Sequence, residues 1–117
     1  MRHQTKKLKL GSDKDHTRSM LRNLGVALII HEKIKTTELR AAAVIPFVEK
    51  LIHVAKTKNK MIAIRHIEKM LQHESASKKI LEVLVAKYKD RKSGYVRKTF
   101  VGYRKGDNAH LALVELI

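Results

Sequence analysis

Residues 95–117, YVRKTFVGYRKGDNAHLALVELI, determine the predicted fold class, because the pattern of the chain changes from helical to extended here. β-Branched and aromatic residues are frequent in 95–103, and a second, strongly apolar run fills 109–117. Gly106 and Asp107, between the two runs, are typical of a tight hairpin turn. We therefore predict two strands that end the chain as a hairpin.

The two predicted strands differ in polarity. The last one, AHLALVELI, is apolar on nearly both faces, which favours a central position in a sheet with the more basic strand at its side. In the first strand, Arg97 interrupts one face and Lys98 the other, and Arg104 and Lys105 follow at the turn. Four cations around one hairpin suggest a function beyond folding, although exposed cations beside a turn are the structural alternative.

Helical periodicity dominates the chain before the hairpin. A helix is predicted from a cap at Asp13 or Asp15 to about His31, and the segment EKIKTT, 32–37, is an edge strand or a plain connection. Three further helices are predicted: one capped by Thr37 and kinked by Pro46, one over Met61–His73 and, after a break at HESAS, one over Lys78–Lys89. The fold class is therefore α+β, with helices packed on one face of a small sheet.

Apolar residues at helical spacing indicate the buried faces of these helices. The predicted core positions are Met20, Leu21, Leu24, Ala27, Leu28, Leu51, Ile52, Ala55, Ile64, Ile67, Leu71, Leu81, Leu84, Val85 and Tyr88.

Net charge is the strongest indication of function. The 117 residues fit one domain, in which 26 Lys and Arg stand against 11 Asp and Glu, for a net charge of +15 spread along the chain. Such a charge repels itself in a compact fold, and a densely negative partner relieves that repulsion. Nucleic acid is the first candidate partner, and an anionic membrane surface is the second.

Several other classes find no support in the sequence. The absence of Cys excludes disulfides and thiolate metal sites, and the longest apolar run, 24–30, is too short to cross a bilayer. The first ten residues lack the apolar region of a secretory signal. We expect a soluble cytoplasmic protein.

Two basic segments precede the hairpin. Residues 1–12 carry Arg2, Lys6, Lys7 and Lys9 without an acid, so we predict an extended RNA-binding arm followed by a single domain over 13–117. A solubilising tail is the alternative.

In the first helix, Lys14, Arg18 and Arg22 recur every four residues and form a ridge on one face. Such a ridge can follow a phosphate backbone. The alternative is solvation with local pairing, as between Asp15 and Arg18.

Folded RNA is the nucleic acid that fits best. The chain shows no aromatic single-strand motif and no helix rich in major-groove readers, so we expect recognition through backbone charge and shape. An architectural DNA-binding protein is the first alternative. A basic ribonuclease using His16 and His110 is the second, although no metalloprotease motif, nucleophile elbow or glycine-rich phosphate loop is present.

Short motifs along nearly the whole chain resemble one family in order and spacing. They include Met1-Arg2-His3, Lys9-Leu10-Gly11, His16, Met20-Leu21-Arg22-Asn23-Leu24, His31-Glu32, Thr36-Thr37, Pro46, Glu49-Lys50-Leu51-Ile52, Gly94-Tyr95, Arg97, Arg104 and Gly106-Asp107-Asn108-Ala109. On these residues the chain resembles the seventeenth protein of the bacterial large ribosomal subunit.

The resemblance implies a two-layer fold in the order helix, strand, three helices and two strands, with a mixed three-stranded sheet whose last strand is central. The resemblance also implies a non-enzymatic structural constituent of the large subunit that binds 23S rRNA near the outer side of the peptide exit region, beside protein thirty-two. A protein of this family is expected to need no metal or cofactor and to have no small-molecule substrate. The predicted RNA-binding residues are Arg2, His3, Lys6, Lys7, Lys9, Lys14, His16, Arg18, Arg22, Asn23, Arg97, Lys98, Arg104 and Lys105.

Overall fold

The computed structural model of the protein describes His3 and residues 9–117. Its elements are α1 (Lys14–His31), β1 (Lys33–Thr37), α2 (Glu38–Thr57), α3 (Lys60–Leu71), α4 (Glu74–Lys79) continued by a π-helical segment (Ile80–Leu84) and by α5 (Val85–Lys87), then β2 (Val96–Tyr103) and β3 (His110–Leu116). The α+β class and the order of helices and strands are confirmed. Residues 32–37 contain an edge strand and not a plain connection.

The three strands form one sheet in the order β1-β3-β2, so the central position predicted for β3 is confirmed. The mixed sheet is wrong, because β3 pairs antiparallel with both neighbours. Val114 lies opposite Ile34 on one side and opposite Lys98 on the other. The short connection from β2 to β3 permits only an antiparallel hairpin, and β1 runs in the same direction as β2.

The helices cover one face of this sheet. Along β3, Ala112, Val114 and Leu116 are buried, whereas the alternate residues Leu111 and Leu113 are half-buried on the other face. The opposing surface of α2 is fully buried through Ala41, Val44, Val48, Leu51 and Ile52. The nearly continuous apolar pattern of β3 therefore reflects its central position and one packed face.

Capping residues fix the first helix. The Asp13 carboxylate accepts a hydrogen bond from the His16 backbone N–H at 2.7 Å, and Glu32 ends the helix in the left-handed conformation. Leu28 is buried as predicted, together with Gly25 and Ile29. The other predicted core positions of α1 are half-buried: Met20, Leu21, Leu24 and Ala27.

The predicted break is present but shorter than HESAS, because α3 ends at Leu71 and α4 already begins at Glu74, whereas the sequence predicted the next helix from Lys78. His73 caps α4 by accepting a hydrogen bond from the Ala76 N–H at its Nδ1, 3.2 Å away, and residues 74–77 form the first turn. The Ser77 hydroxyl donates to the His73 carbonyl, four residues back, at 2.9 Å. This bond satisfies the hydroxyl of a serine within the helix. A histidine at the cap position and two serines in the helix obscure its beginning in the sequence.

One wide turn follows α4. In the segment Ile80–Leu84 the Val85 N–H donates to the Ile80 carbonyl, five residues back. An α-helix has 3.6 residues per turn, so residues spaced by four drift gradually around the helix axis. The wide turn offsets this drift. Ala76, Ile80, Leu84 and Tyr88 are consequently all buried. The sequence prediction was right for Leu84 and Tyr88 but missed Ile80; the predicted Leu81 and Val85 are half-buried.

Two buried tyrosines attach the hairpin to the helices. The rings of Tyr88 and Tyr95 lie 5.0 Å apart between centroids, and the Tyr88 hydroxyl donates to the Ile117 carbonyl at 2.9 Å. Lys56, near the end of α2, donates from Nζ to the Tyr95 hydroxyl at 2.9 Å. The Tyr95 hydroxyl in turn donates to the Lys92 carbonyl at 2.9 Å. The start of β2 and the end of β3 are thus both held by phenol groups.

Replacing Tyr88 with Phe removes the hydrogen bond to Ile117 and keeps the ring. We expect the free energy of unfolding at pH 7, measured by urea denaturation, to fall by about 1 kcal/mol. Tyr103→Phe is the matched control, because Tyr103 is exposed and this change should leave stability within about 0.5 kcal/mol. Equal losses in the two variants would contradict the role assigned to Tyr88.

The same variant tests a pH dependence. Burial raises the pKa of Tyr88, so its phenol stays protonated in the folded state where an unfolded tyrosine, with a pKa of about 10, ionises. The stability that this contributes is complete below pH 10 and is lost as the pH rises through the raised pKa. Urea midpoints measured from pH 8 to 11 should fall more steeply for the wild type than for Tyr88→Phe.

A second test concerns the contact between α1 and α2. A Cβ built on Gly25 would lie 2.7 Å from Cε1 of Phe47, which is too close for the ring to stay in place. Gly25→Ala should therefore lower the free energy of unfolding more in the wild type than in a Phe47→Leu background. Without the ring, the higher helix propensity of alanine, worth about 1 kcal/mol, offsets part of the loss. A double-mutant cycle by thermal unfolding measures this coupling, and strict additivity would contradict the contact.

Candidate nucleic-acid interface

The basic ridge predicted on α1 is present but unequal in its members. Lys14 and Arg18 are exposed, and neither has a carboxylate within 4 Å in the described part of the chain. Arg22 is half-buried, and its Nε donates to the Met70 carbonyl at 3.1 Å, which links α1 to α3. We call Lys14 and Arg18 the α1 ridge, because Arg22 serves first as a packing residue.

A groove of about 610 Å³ runs beside the α1 ridge. It is lined by Lys9, Leu10, Gly11, Ser12, Lys14, Thr17, Arg18, Leu21, Phe47 and Met70. None of these residues carries a carboxylate, whereas three of them are cations. The groove therefore combines a positive rim with an apolar floor formed by Leu21, Phe47 and Met70.

The predicted arm is only partly described. Arg2, Lys6 and Lys7 lie outside the described residues. His3 and Lys9 are exposed, and Lys9 borders the groove next to the α1 ridge. His16 and Asn23, carried over from the family resemblance, lie on exposed positions of α1.

The hairpin shows why cations interrupt both faces of β2. Beyond Val96, residues 97–101 of this strand are exposed on both faces. Arg97 lies opposite Glu115 and donates to its Oε1 from Nε at 3.0 Å and from Nη2 at 2.5 Å. Lys33 approaches the other oxygen of Glu115 at 3.6 Å. These two cations hold the pKa of Glu115 below its usual value, chiefly through the Arg97 hydrogen bond.

The next two hairpin cations are also paired. Lys98 lies 3.6 Å from the Glu38 carboxylate, at the start of α2. Arg104 donates to both oxygens of Asp107, at 3.1 Å and 2.5 Å. The Arg104 guanidinium and the Ala109 backbone N–H together lower the pKa of Asp107 to about 2. Lys105 forms no ion pair within the described chain.

The α1 ridge and the hairpin form two separate surfaces. The groove beside the ridge reaches Phe47 in the middle of α2, whereas Lys98 and His110 meet Glu38 at its first residue. Nine residues of helix separate these positions, a distance of about 13 Å along the axis. The sequence identified both surfaces but gave no indication of their separation.

Sequence reasoning missed the acidic partners and one aromatic cluster. Glu115 lies between Arg97 and Lys33, and Glu38 lies between Lys98 and His110. Only the strand register and the start of α2 define these placements. Of the three hairpin aromatics, Tyr95, Phe100 and Tyr103, the first is buried. The other two are more than half exposed and meet His110 at the hairpin.

The described residues do not support the ribonuclease, metal-binding or membrane-spanning alternatives. His16 lies in the first turn of α1 and His110 beside Glu38, and no hydrogen bond in the described chain joins these histidines. Over the described ranges, no group of three His, Cys, Asp or Glu side chains is placed to hold a metal ion. No helix described here is long and apolar enough to span a membrane.

The family model and the relatives described below indicate the same protein family. The family model described as Ribosomal protein L17 matches residues 20–117. The chain is 42% identical over 109 residues to the large ribosomal subunit protein bL17 of Desulforudis audaxviator, covering 93% of this chain and 96% of that protein. It is 39% identical over 117 residues to the bL17 protein of Rickettsia bellii, covering 100% of this chain and 82% of that protein. A bL17 protein of Wolbachia pipientis wMel is 42% identical over 118 residues, with 100% and 83% covered.

The family match extends from the middle of α1 to the end of β3, so it includes the basic hairpin, whereas Lys14 and Arg18 of the α1 ridge precede it. The chain therefore belongs to the ribosomal protein L17 family and is a structural constituent of the large ribosomal subunit, not an enzyme.

Proposed function

We propose that this protein binds 23S rRNA through contacts with the sugar-phosphate backbone and with the shape of the folded RNA. The α1 ridge carries the proposal. Among the described residues, Lys14 and Arg18 are exposed without a carboxylate partner, beside a groove with no acid in its described lining. Unpaired cations on a rigid helix are well placed to neutralise phosphates and release counterions.

The hairpin has a different electrostatic character. Arg97, Lys98 and Arg104 already have carboxylate partners, so a phosphate must share or displace a carboxylate to bind there. Exposed ion pairs of this kind contribute little free energy, and the exchange is feasible. We expect the α1 ridge to contribute more affinity per cation than the hairpin.

The domain division is part of the proposal. Residues 1–12 act as a basic RNA-binding arm, and residues 13–117 form the single folded domain that carries both basic surfaces. Lys9 supports this division, because it borders the same groove as the α1 ridge. Arm and ridge together then follow one RNA segment.

The location in the subunit follows from the family resemblance. We place the protein at the outer side of the peptide exit region, with protein thirty-two as a neighbour, in the large subunit in the cytoplasm. The two separate basic surfaces support contacts with more than one RNA segment at such a place.

Salt dependence tests the proposal directly. With about 6–10 phosphate contacts, affinity for a 23S rRNA fragment should fall by about 10³–10⁵ between 50 and 200 mM salt. Fluorescence anisotropy with the full chain measures this change. A flat response would contradict binding through phosphates.

Duplex DNA of the same length is the control in that experiment. Recognition of RNA shape predicts that the structured rRNA fragment outcompetes the duplex at every salt concentration. Equal affinity for both would favour an architectural DNA-binding protein.

A pair of arginine variants tests the α1 ridge. Arg18→Ala should weaken rRNA binding and reduce the slope of log K against log salt by about 0.9, the contribution of one phosphate contact. Arg65→Ala is the matched control, since Arg65 is also exposed on a helix but lies outside the proposed surface. If both variants lose the same affinity, only net charge matters and the ridge is not a site.

Arg22→Ala separates packing from binding. This substitution leaves the Met70 carbonyl without its partner, so we expect the free energy of unfolding to fall by about 1–3 kcal/mol. Arg18→Ala should leave it within about 0.5 kcal/mol. Urea unfolding at constant salt makes the comparison, and an unchanged midpoint for Arg22→Ala would show that the link to α3 is unimportant.

A further inference from the structure

Aromatic side chains in this protein fall into two groups. Tyr88 and Tyr95 are buried and Phe47 is half-buried, whereas Phe100 and Tyr103 are each 56% exposed on β2. Exposing two large rings on a short hairpin brings no folding advantage, because rings stabilise a fold by being buried. A contiguous exposed group of this kind indicates a contact surface.

The exposed rings form an ordered cluster with His110. Phe100 and Tyr103 meet edge to face with centroids 5.6 Å apart, and Tyr103 meets the His110 imidazole edge to face at 4.8 Å. The Phe100 and His110 centroids are 5.9 Å apart. These contacts restrict the rings before any partner arrives, which lowers the entropy cost of stacking.

Four cations lie near this cluster, three of them paired with carboxylates. Residues 97–105 contain four cations and no acid, and Lys105 has no carboxylate partner in the described chain. Glu38 is 3.8 Å from His110 and 3.6 Å from Lys98, so it positions both groups at the edge of an adjoining hollow of about 450 Å³. Flat π-surfaces bordered by cations complement a nucleotide, whose base is flat and whose phosphates are negative.

We propose that Phe100, Tyr103 and His110 form a stacking platform for one unpaired nucleobase of the bound RNA. This inference rests on the proposed function and adds base stacking to phosphate and shape contacts. Stacking on aromatic rings tolerates any base, since every base has a π-face. The neighbouring cations then bind the phosphates on either side of that nucleotide.

Photocrosslinking in the assembled particle distinguishes RNA from a protein partner. The full chain with Tyr103 replaced by p-benzoylphenylalanine is incorporated into large ribosomal subunits and irradiated. A crosslink to one nucleotide of rRNA supports the platform. A crosslink to a ribosomal protein overturns it and identifies the cluster as a protein interface.

A synthetic RNA hairpin with a single bulged 2-aminopurine tests stacking in solution, and the same RNA with an abasic bulge is the control. The wild-type chain should bind the 2-aminopurine RNA about 5- to 150-fold more tightly than the abasic RNA, with quenching of the 2-aminopurine fluorescence. Equal affinity for the two RNAs overturns the proposal.

Two variants assign the effect to the rings. The double variant Phe100→Leu/Tyr103→Leu keeps apolar bulk at exposed positions, so it should fold but lose the preference for the base. Tyr103→Phe keeps the ring and should retain that preference. A double variant that still discriminates as the wild type does would place the stacked base elsewhere and overturn the proposal.

Failure of the platform differs from failure of the proposed function. If both RNAs bind with equal affinity and a steep salt dependence, backbone recognition stands and the platform is wrong. If neither RNA nor the 23S rRNA fragment binds, both proposals are overturned.

Discussion

The position of β3 between β1 and β2 is the constraint on which the rest of the structure depends. Its two antiparallel ladders fix the register of both edge strands and thus decide which side chains reach the helical layer. A slip by one residue would exchange the buried row Ala112, Val114 and Leu116 for the row that ends in Glu115. That carboxylate would then enter the core, at a cost of several kcal/mol.

Charge is distributed so that the basic domain still folds. Six Lys and Arg side chains of the described chain share five carboxylates, and most of these pairs lie on the strands or at helix ends. Lys79, for example, pairs with Glu32 at 3.0 Å and donates to the Ile30 carbonyl at the end of α1. Self-repulsion is thus reduced where elements meet, whereas the α1 ridge keeps its charge for a partner.

The sequence predicted the fold wherever one local signal was sufficient. The start of α1 was predicted to within two cap positions, Asp13 or Asp15, of which Asp13 is the cap, and the apolar character of residues 109–117 identified the central strand. Strand direction on the β1 side depends on tertiary packing, so the expected mixed sheet was wrong. The start of α4 was missed because histidine is not among the residues that usually cap a helix.

The candidate interface was predictable to a similar degree. Residue types and spacing were sufficient to find the cations of α1 and of the hairpin. Their partners were not predictable, because Glu38 and Glu115 reach Lys98 and Arg97 only through the strand register and the packing of α2. Arg22 resembled Arg18 in sequence, and only the neighbouring α3 gives it a separate structural role.

The wide turn at Ile80–Leu84 sets the rotation of the last residues of this helix relative to its first ones. With the same number of residues at ordinary α-helical pitch, Tyr88 would be rotated by about 100° relative to the preceding residues. The phenol would leave the carboxyl end of the chain, although no amino acid in contact with it had changed. A relative that lacks one residue at this point should instead form an ordinary α-helix and keep its tyrosine beside the carboxyl end, because the wide turn takes up one residue more than an α-helical turn.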